Sequence, residues 1–317
     1  MRKTEVVTAP NGQQVTLEKD GLWTEIKRYR AQYLMLAPYA LLFIFFTVLP
    51  VLSSIVLSFT YFNMLQMPRF VGWSNYITLF LDDEIFLIAV KNTLIFAFIT
   101  GPICYMACWF FAWFINELNP KLRAFMTFVF YAPSISGNLY FIWQFIFSGD
   151  SYGLVNSTLM RFGLLDEPIL WLTDTKYMLT IIILIQIWLS LGAGFLSFIA
   201  GLQGVDKSMY EAGAIDGIKN RWQELWYITL PAMGPMLMFA AVMQIASSFS
   251  VADVAIQLCG NPSTDYAAHT VVTHIMDYGN TRFEMGYASA IAVVLFAVMI
   301  LTKILITKVL TKFTDIN

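Results

Sequence analysis

Few side chains in this sequence suit covalent or metal chemistry, and their spacing does not serve it. His269 and His274 stand five residues apart, not at the i, i+4 spacing that offers two imidazoles to one zinc, and no Cys or acid is spaced to complete a ligand set. Cys104 and Cys108 lie one helical turn apart in an apolar run and read as small buried residues. No Ser/His/Asp arrangement and no carboxylate pair stands out for catalysis. No Gly-x-x-x-x-Gly-Lys-Ser/Thr loop is present to cradle nucleotide phosphates. The expectation is therefore no catalytic residue, no metal and no cofactor bound by this chain. What remains is recognition chemistry set among apolar residues. Gln186, Ser190, Gly194 and Ser197 fall at helical offsets 4, 8 and 11, one polar and small face. Gln244, Ser247, Ser248 and Ser250 form a second set, and Asn138 follows Pro133, which should kink its helix. Trp143 and Trp188 offer flat faces to a ring, and Asp253 offers a carboxylate to hydroxyls. Each has a second reading that stays open: close helix packing for the small faces, core packing for the tryptophans, an interfacial acid for Asp253.

The elements that carry these residues follow from composition. Of 317 residues, 58% are hydrophobic and 13% charged, against about 25% charged in a soluble domain. A soluble globule could not cover itself so sparsely, and a net charge of −2 advertises no nucleic-acid partner. Three cysteines make a disulfide framework unexpected. Six runs lack Asp, Glu, Lys and Arg: residues 31–68, 92–116, 124–149, 177–205, 225–252 and 285–302. A bilayer core of about 30 Å needs about 20 apolar residues in a helix. The runs therefore predict an all-α polytopic membrane protein with six spans, near 32–60, 88–116, 122–147, 177–201, 231–258 and 284–308. Fourteen Lys and Arg fall on the side of the termini and five on the other, which puts both termini in the cytoplasm. Residues 1–30 read as a polar cytoplasmic tail and residues 31–317 as the membrane domain.

Residues 202–230 form the one long internal loop between spans. Asp206 suits an N-cap, Gly217 a helix end, and Asn220 a second start. Trp222, Leu225, Trp226 and Thr229 then share one helical face, and Pro231 suits the first turn of the next span. The loop reads as helix, glycine turn, helix, membrane. Spacing alone leaves two readings: a helix pair lying in the headgroups, or a docking element for a soluble partner.

The stretch Glu211-Ala212-Gly213, then Asp216-Gly217, then Ile228-Thr229-Leu230-Pro231 resembles the Glu-Ala-Ala loop of ABC importer permeases. Two departures stand out. Gly213 replaces the usual third Ala, and ten residues rather than nine separate Gly217 from Ile228, which should lengthen the turn. The resemblance extends over most of residues 30–308. Tyr33-Leu-Met-Leu-Ala-Pro38 with Leu49-Pro50, Gly72-Trp-Ser-Asn75-Tyr76, Asn92-Thr93, and Gly153-Leu-Val-Asn156 are similar to segments of the maltose, glycerol-phosphate and lipooligosaccharide type of sugar permease.

The resemblance implies a type I importer-like subunit forming half of a translocation pore in a bacterial inner membrane. Its implied partners are a second homologous permease, two ATP-binding subunits that hold the ATP and Mg, an extracellular solute-binding protein, and a sugar. Glu211, Ala212, Asp216 and Gly217 are implied to contact the ATPase. The substrate path is expected among Asn138, Trp143, Gln186, Ser190, Gln244 and Asp253. The rival reading is an ion-coupled secondary transporter of a small polar solute. It expects acids or histidines within spans, and the six run centres carry none.

Overall fold

The computed structural model describes residues 3–8, 14–19, 26–136 and 139–314. It divides into an N-terminal unit, Met1–Val56, and a larger unit, Leu57–Asn317. In the N-terminal unit, strands β1 (Lys3–Thr8) and β2 (Gln14–Lys19) pair antiparallel, with Val7 opposite Val15. The tail that reads as unpatterned thus holds a hairpin. Helix α1 (Arg30–Leu57) follows and is long and apolar enough to cross a membrane. It widens into a π-turn at Ile44–Val48, just before Leu49-Pro50. Proline has no N–H and its ring crowds the carbonyl four residues back, so a looser turn relieves the clash.

The larger unit opens with a two-stranded pair, β3 (Thr60–Tyr61) and β4 (Arg69–Phe70), and a short helix α2 (Ser74–Leu81). Then come α3 (Glu84–Asn116), α4 (Pro120–Ile135), α5 (Tyr140–Ile146) and the short helix α6 (Leu154–Arg161). Next are α7 (Thr175–Leu189), α8 (Ala193–Gly204), α9 (Lys207–Ile215) and α10 (Arg221–Glu224). The unit ends with α11 (Gly234–Phe249), α12 (Asp253–Cys259), the short α13 (Val271–Met276) and α14 (Met285–Thr314). Short polar side chains start several of these helices. Asp83 accepts from the Phe86 N–H, Asn119 from Leu122, Asp174 from Lys176 and Asp206 from Ser208, each satisfying an amide that a helix start leaves unpaired.

Among the described residues, five helical stretches are long and apolar enough to span: 30–57, 84–116, 175–204, 234–259 and 285–312. The third expected span, 122–147, is corrected. It forms two helices, α4 and α5, and no single helix there reaches spanning length. Pro133 lies inside α4, which stops two residues later at Ile135. Two further spans are interrupted without losing their course, at Ser190–Gly192 between α7 and α8 and at Ser250–Ala252 between α11 and α12.

Packing around α3, α8 and α11 forms the main core, with Phe195, Phe198 and Ala112 at 0% exposure. Lipid is as apolar as these side chains, so close approach rather than water exclusion holds the helices together. Gly201 on α8 serves that approach: a Cβ there would stand 3.0 Å from Met236 Cβ on α11.

Candidate functional site

Three of the expected recognition segments converge. The interruptions after α4, after α7 and after α11 border one cavity of about 390 Å³. Pro133, Ser134, Ser136 and Tyr140 come from the first, Gln186 and Leu189 from the second, and Ser247 with Ser250–Val254 from the third. Broken helices leave carbonyls and amides unpaired, which a membrane tolerates only against protein or water. The serine hydroxyls at the breaks fold back onto their own helices. Ser134 donates to Tyr131 O at 2.8 Å, Ser136 to Ala132 O at 2.7 Å and Ser190 to Ile187 O at 2.8 Å. The Cys108 thiol reaches the Ser190 carbonyl at 3.6 Å.

Of the expected path residues, the structure brings Gln186 and Asp253 together on the cavity wall. Ser190 sits at the α7–α8 interruption with its hydroxyl turned to its own helix and is not part of the wall. Gln244 is buried and pairs with Ser248 on its own helix, the packing reading of that face. Trp143 packs on Phe147 at 5.9 Å and edge-on to Trp188 at 5.3 Å, so both tryptophans serve aromatic packing beside the cavity. Asn138 lies outside the described residues. Sequence reasoning missed Tyr140 and Ser134. The serines around Pro133 were visible, but nothing in one chain's spacing says that three interruptions meet.

On the other side, the loop 202–230 folds as a small elbow. Asp206 caps α9, and the Ser208 N–H and hydroxyl hold its carboxyl below the usual range. The helix ends where Gly217 takes φ +93°, a backbone conformation that side chains rarely adopt, and Ile218 N–H closes the end on Gly213 O at 2.9 Å. Gly213 is a glycine for a different reason: a Cβ there would lie 2.6 Å from Ile228 Cδ1 and 3.0 Å from Ile218 Cδ1. The departure from Ala is thus tied to how tightly α9 lies on the following segment. Glu211, Ala212, Asp216 and Gly217 all stay exposed.

After Gly217 the chain turns through Ile218 and Lys219, and Asn220 caps α10 by accepting from Gln223 N–H at 2.9 Å. The widened part is further on, a π-turn at Leu225–Thr229 ahead of Leu230-Pro231, placed like the one ahead of Pro50. Its inward residues Leu225, Ile228 and Thr229 are buried. Tyr210 on α9 meets Thr229 at 2.9 Å, Trp113 packs on Trp222 at 5.1 Å, and Arg221 reaches Glu117 at 3.3 Å. The elbow is therefore fastened to α3 and to the root of α11.

The end of the bundle away from the elbow is bound by buried amides. Asn92 donates to the carbonyls of Tyr266, Ala267 and His269, and Thr93 accepts from Val271 N–H. Asn156 donates to Ser148, Asp150 and Ile169 carbonyls and accepts from Ile169 N–H and the Trp171 indole. The two histidines touch each other at 3.1 Å, and His274 continues to Asp83 at 2.9 Å, where Tyr287 donates at 2.7 Å. Burial lowers His269 to about 4, with the His274 charge acting in the same direction. For Asp83, burial opposes the charge, yet the Phe86 N–H, the Tyr287 hydroxyl and His274 together hold it below the usual carboxylate range. Among the described residues, no group of three His, Cys, Asp or Glu could hold a metal.

No protein-family model matches the chain. Individual proteins do. It is 31% identical to a probable ABC transporter permease protein, YesP, of Bacillus subtilis (strain 168), over 88% of this chain and 89% of that one. It is 29% identical to the arabinooligosaccharides transport system permease protein AraP of the same organism, over 93% and 94% of the two chains. It is 33% identical to the lactose transport system permease protein LacF of Rhizobium radiobacter, over 73% and 77%. A crystal structure of a bacterial ABC transporter involved in the import of the acidic polysaccharide alginate superposes with a TM-score of 0.72 at 25% identity, covering 92% of this chain and 99% of that one. With that likeness running over most of its length, the chain belongs to the permease subunits of sugar ABC importers.

Proposed function

We propose that this permease forms half of a sugar pathway whose wall includes the cavity between the three helix interruptions, and that α9 is where ATP-driven motion enters it. The observation that carries the reading is the elbow: a capped nine-residue helix, locked at Gly213 onto Ile228 and presenting Glu211, Ala212, Asp216 and Gly217 outward. A rigid projection transmits a push, and a chain without a phosphate-binding loop must receive it from elsewhere. The partners in this reading are a second homologous permease, two ATP-binding subunits and an extracellular solute-binding protein. The setting is a bacterial inner membrane with both termini cytoplasmic. Relatives handle lactose and arabinooligosaccharides, and a structural neighbour was solved with an alginate pentasaccharide-bound periplasmic protein, so the substrate is placed among sugars and oligosaccharides.

The test is affinity purification of the full complex. The wild-type chain brings an ATPase down with it, and replacement of residues 206–220 by a Gly/Ser linker abolishes that while the protein still inserts. Retention of the ATPase by the linker variant overturns the assignment of α9.

A further inference from the structure

We propose that Asp253 makes the cavity a charge filter that admits uncharged sugars and rejects acidic ones. The inference rests on the reading of the cavity as the solute path, and adds the class of solute. The wall offers neutral hydrogen-bonding groups from Ser134, Ser136, Ser247, Ser250 and Gln186, and Asp253 is its one acidic side chain. No Lys, Arg or His joins it. Asp253 is exposed while its neighbours Val251, Ala252 and Val254 are each buried to 6% exposure or less. The chain thus turns apolar groups inward and this carboxylate toward the open space. Among the described residues, no cation lies within ion-pair distance of it. Tyr140 on α5 is the one other titratable group on the wall.

A carboxylate without a cation partner is a good acceptor for the paired hydroxyls of a neutral sugar. To a uronate it is a like charge a few ångströms away, in a mouth where the effective dielectric is well below that of water. A path built for acidic sugars needs a basic group at this point to offset the carboxylate, and among the described residues this chain's half of the wall supplies none.

The experiment reads the field without knowing the sugar. Ser250→Cys is introduced on the cavity wall of the assembled importer in proteoliposomes, and the parent chain's own thiol reaction is subtracted. The thiol is treated with the cationic ethyltrimethylammonium methanethiosulfonate and with its anionic ethylsulfonate counterpart, each rate normalised to a free thiol in solution. The cationic reagent should win by roughly fivefold or more. The preference should vanish in Ser250→Cys/Asp253→Asn and persist in Ser250→Cys/Asp253→Glu. Equal rates unaffected by Asp253→Asn overturn the filter and leave the cavity as a wet path. A thiol that neither reagent reaches, with or without ATP, removes the path reading itself and the filter with it. Uptake of trigalacturonate by the wild type as fast as that of maltotriose also overturns the proposal.

Discussion

Gly213 marks where α9 lies tightest on the segment that follows it. A Cβ at this position meets the ends of two isoleucine side chains, and those ends can rotate away. Gly213→Ala should therefore cost little, about 1 kcal/mol or less, since a helix-forming gain offsets the crowding. Gly213→Val puts a branched group into the same space and should lift α9 off Ile228. Transport should then drop at least about tenfold with the chain still inserted, and Ile228→Ala in the same chain should restore part of it. Uptake assays on the two single variants and the double variant check this, and unchanged uptake in Gly213→Val would remove the tight seat from the mechanism. Asn156 makes a sharper case, because its amide makes five hydrogen bonds. Asn156→Asp keeps the shape but turns a carboxylate toward three carbonyl oxygens. A buried polar group left unsatisfied costs about 1–3 kcal/mol, more when charged. Limited proteolysis from outside should cut within 148–171 in Asn156→Asp and spare the wild type.

At the scale of elements, the short helix α13 is tied to the starts of α3 and α14 through His269, His274, Asp83 and Tyr287. The pH dependence of that tie has a definite sign. His269 drops from 6.5 to about 4 in the fold, so the unfolded segment binds more protons between those values. Its contribution is complete above about pH 6.5 and is lost as pH falls toward 4, on the order of 3 kcal/mol in all. Asp83, held low, adds a loss in the same direction below its ordinary value of 3.8. Thermal unfolding of the purified importer should show a midpoint falling between pH 6.5 and 4, and His269→Gln should flatten that slope. An unchanged slope would mean another group titrates.

Elements were also where the sequence spoke most clearly. Charge-free runs marked the spans because a bare charge is expensive in lipid. The interruption after Ile135 was signalled by Pro133 but not its severity, since whether a kink becomes a break depends on what fills the gap. The hairpin of β1 and β2 was overlooked, although Asn11-Gly12 between two Val- and Thr-rich runs is a known turn signal. Among the polar residues within spans, composition could not tell wall from packing. Gln186 and Gln244 look alike in the sequence, and only the neighbouring helices decide that one meets a cavity and the other meets Ser248.

For the molecule as a whole, the cavity and the elbow stand at two ends of one set of helices. α11 carries Ser247 at the cavity and is rooted, through the π-turn, in the segment on which α9 sits. A displacement of α9 thus has a covalent and packed route to the interruption before Asp253. Within this chain nothing supplies the work: no phosphate-binding loop is present, and the charge-free centres of the spans hold no acid or histidine to carry a coupling proton or sodium ion. The chain reconstituted alone in liposomes should accordingly accumulate no sugar under an imposed proton or sodium gradient. With its ATP-binding subunits, second permease and solute-binding protein, it should accumulate sugar on addition of ATP. Glu211→Lys, which reverses the charge on the outward face of α9 without touching its packed side, should reduce that uptake at least about tenfold while ATP hydrolysis by the complex continues. Radiolabelled uptake and phosphate release measured on the same vesicles separate the two. If both fall together because the complex no longer assembles, the charge serves docking. If hydrolysis persists without transport, it serves transmission, as a lever seated at Gly213 requires.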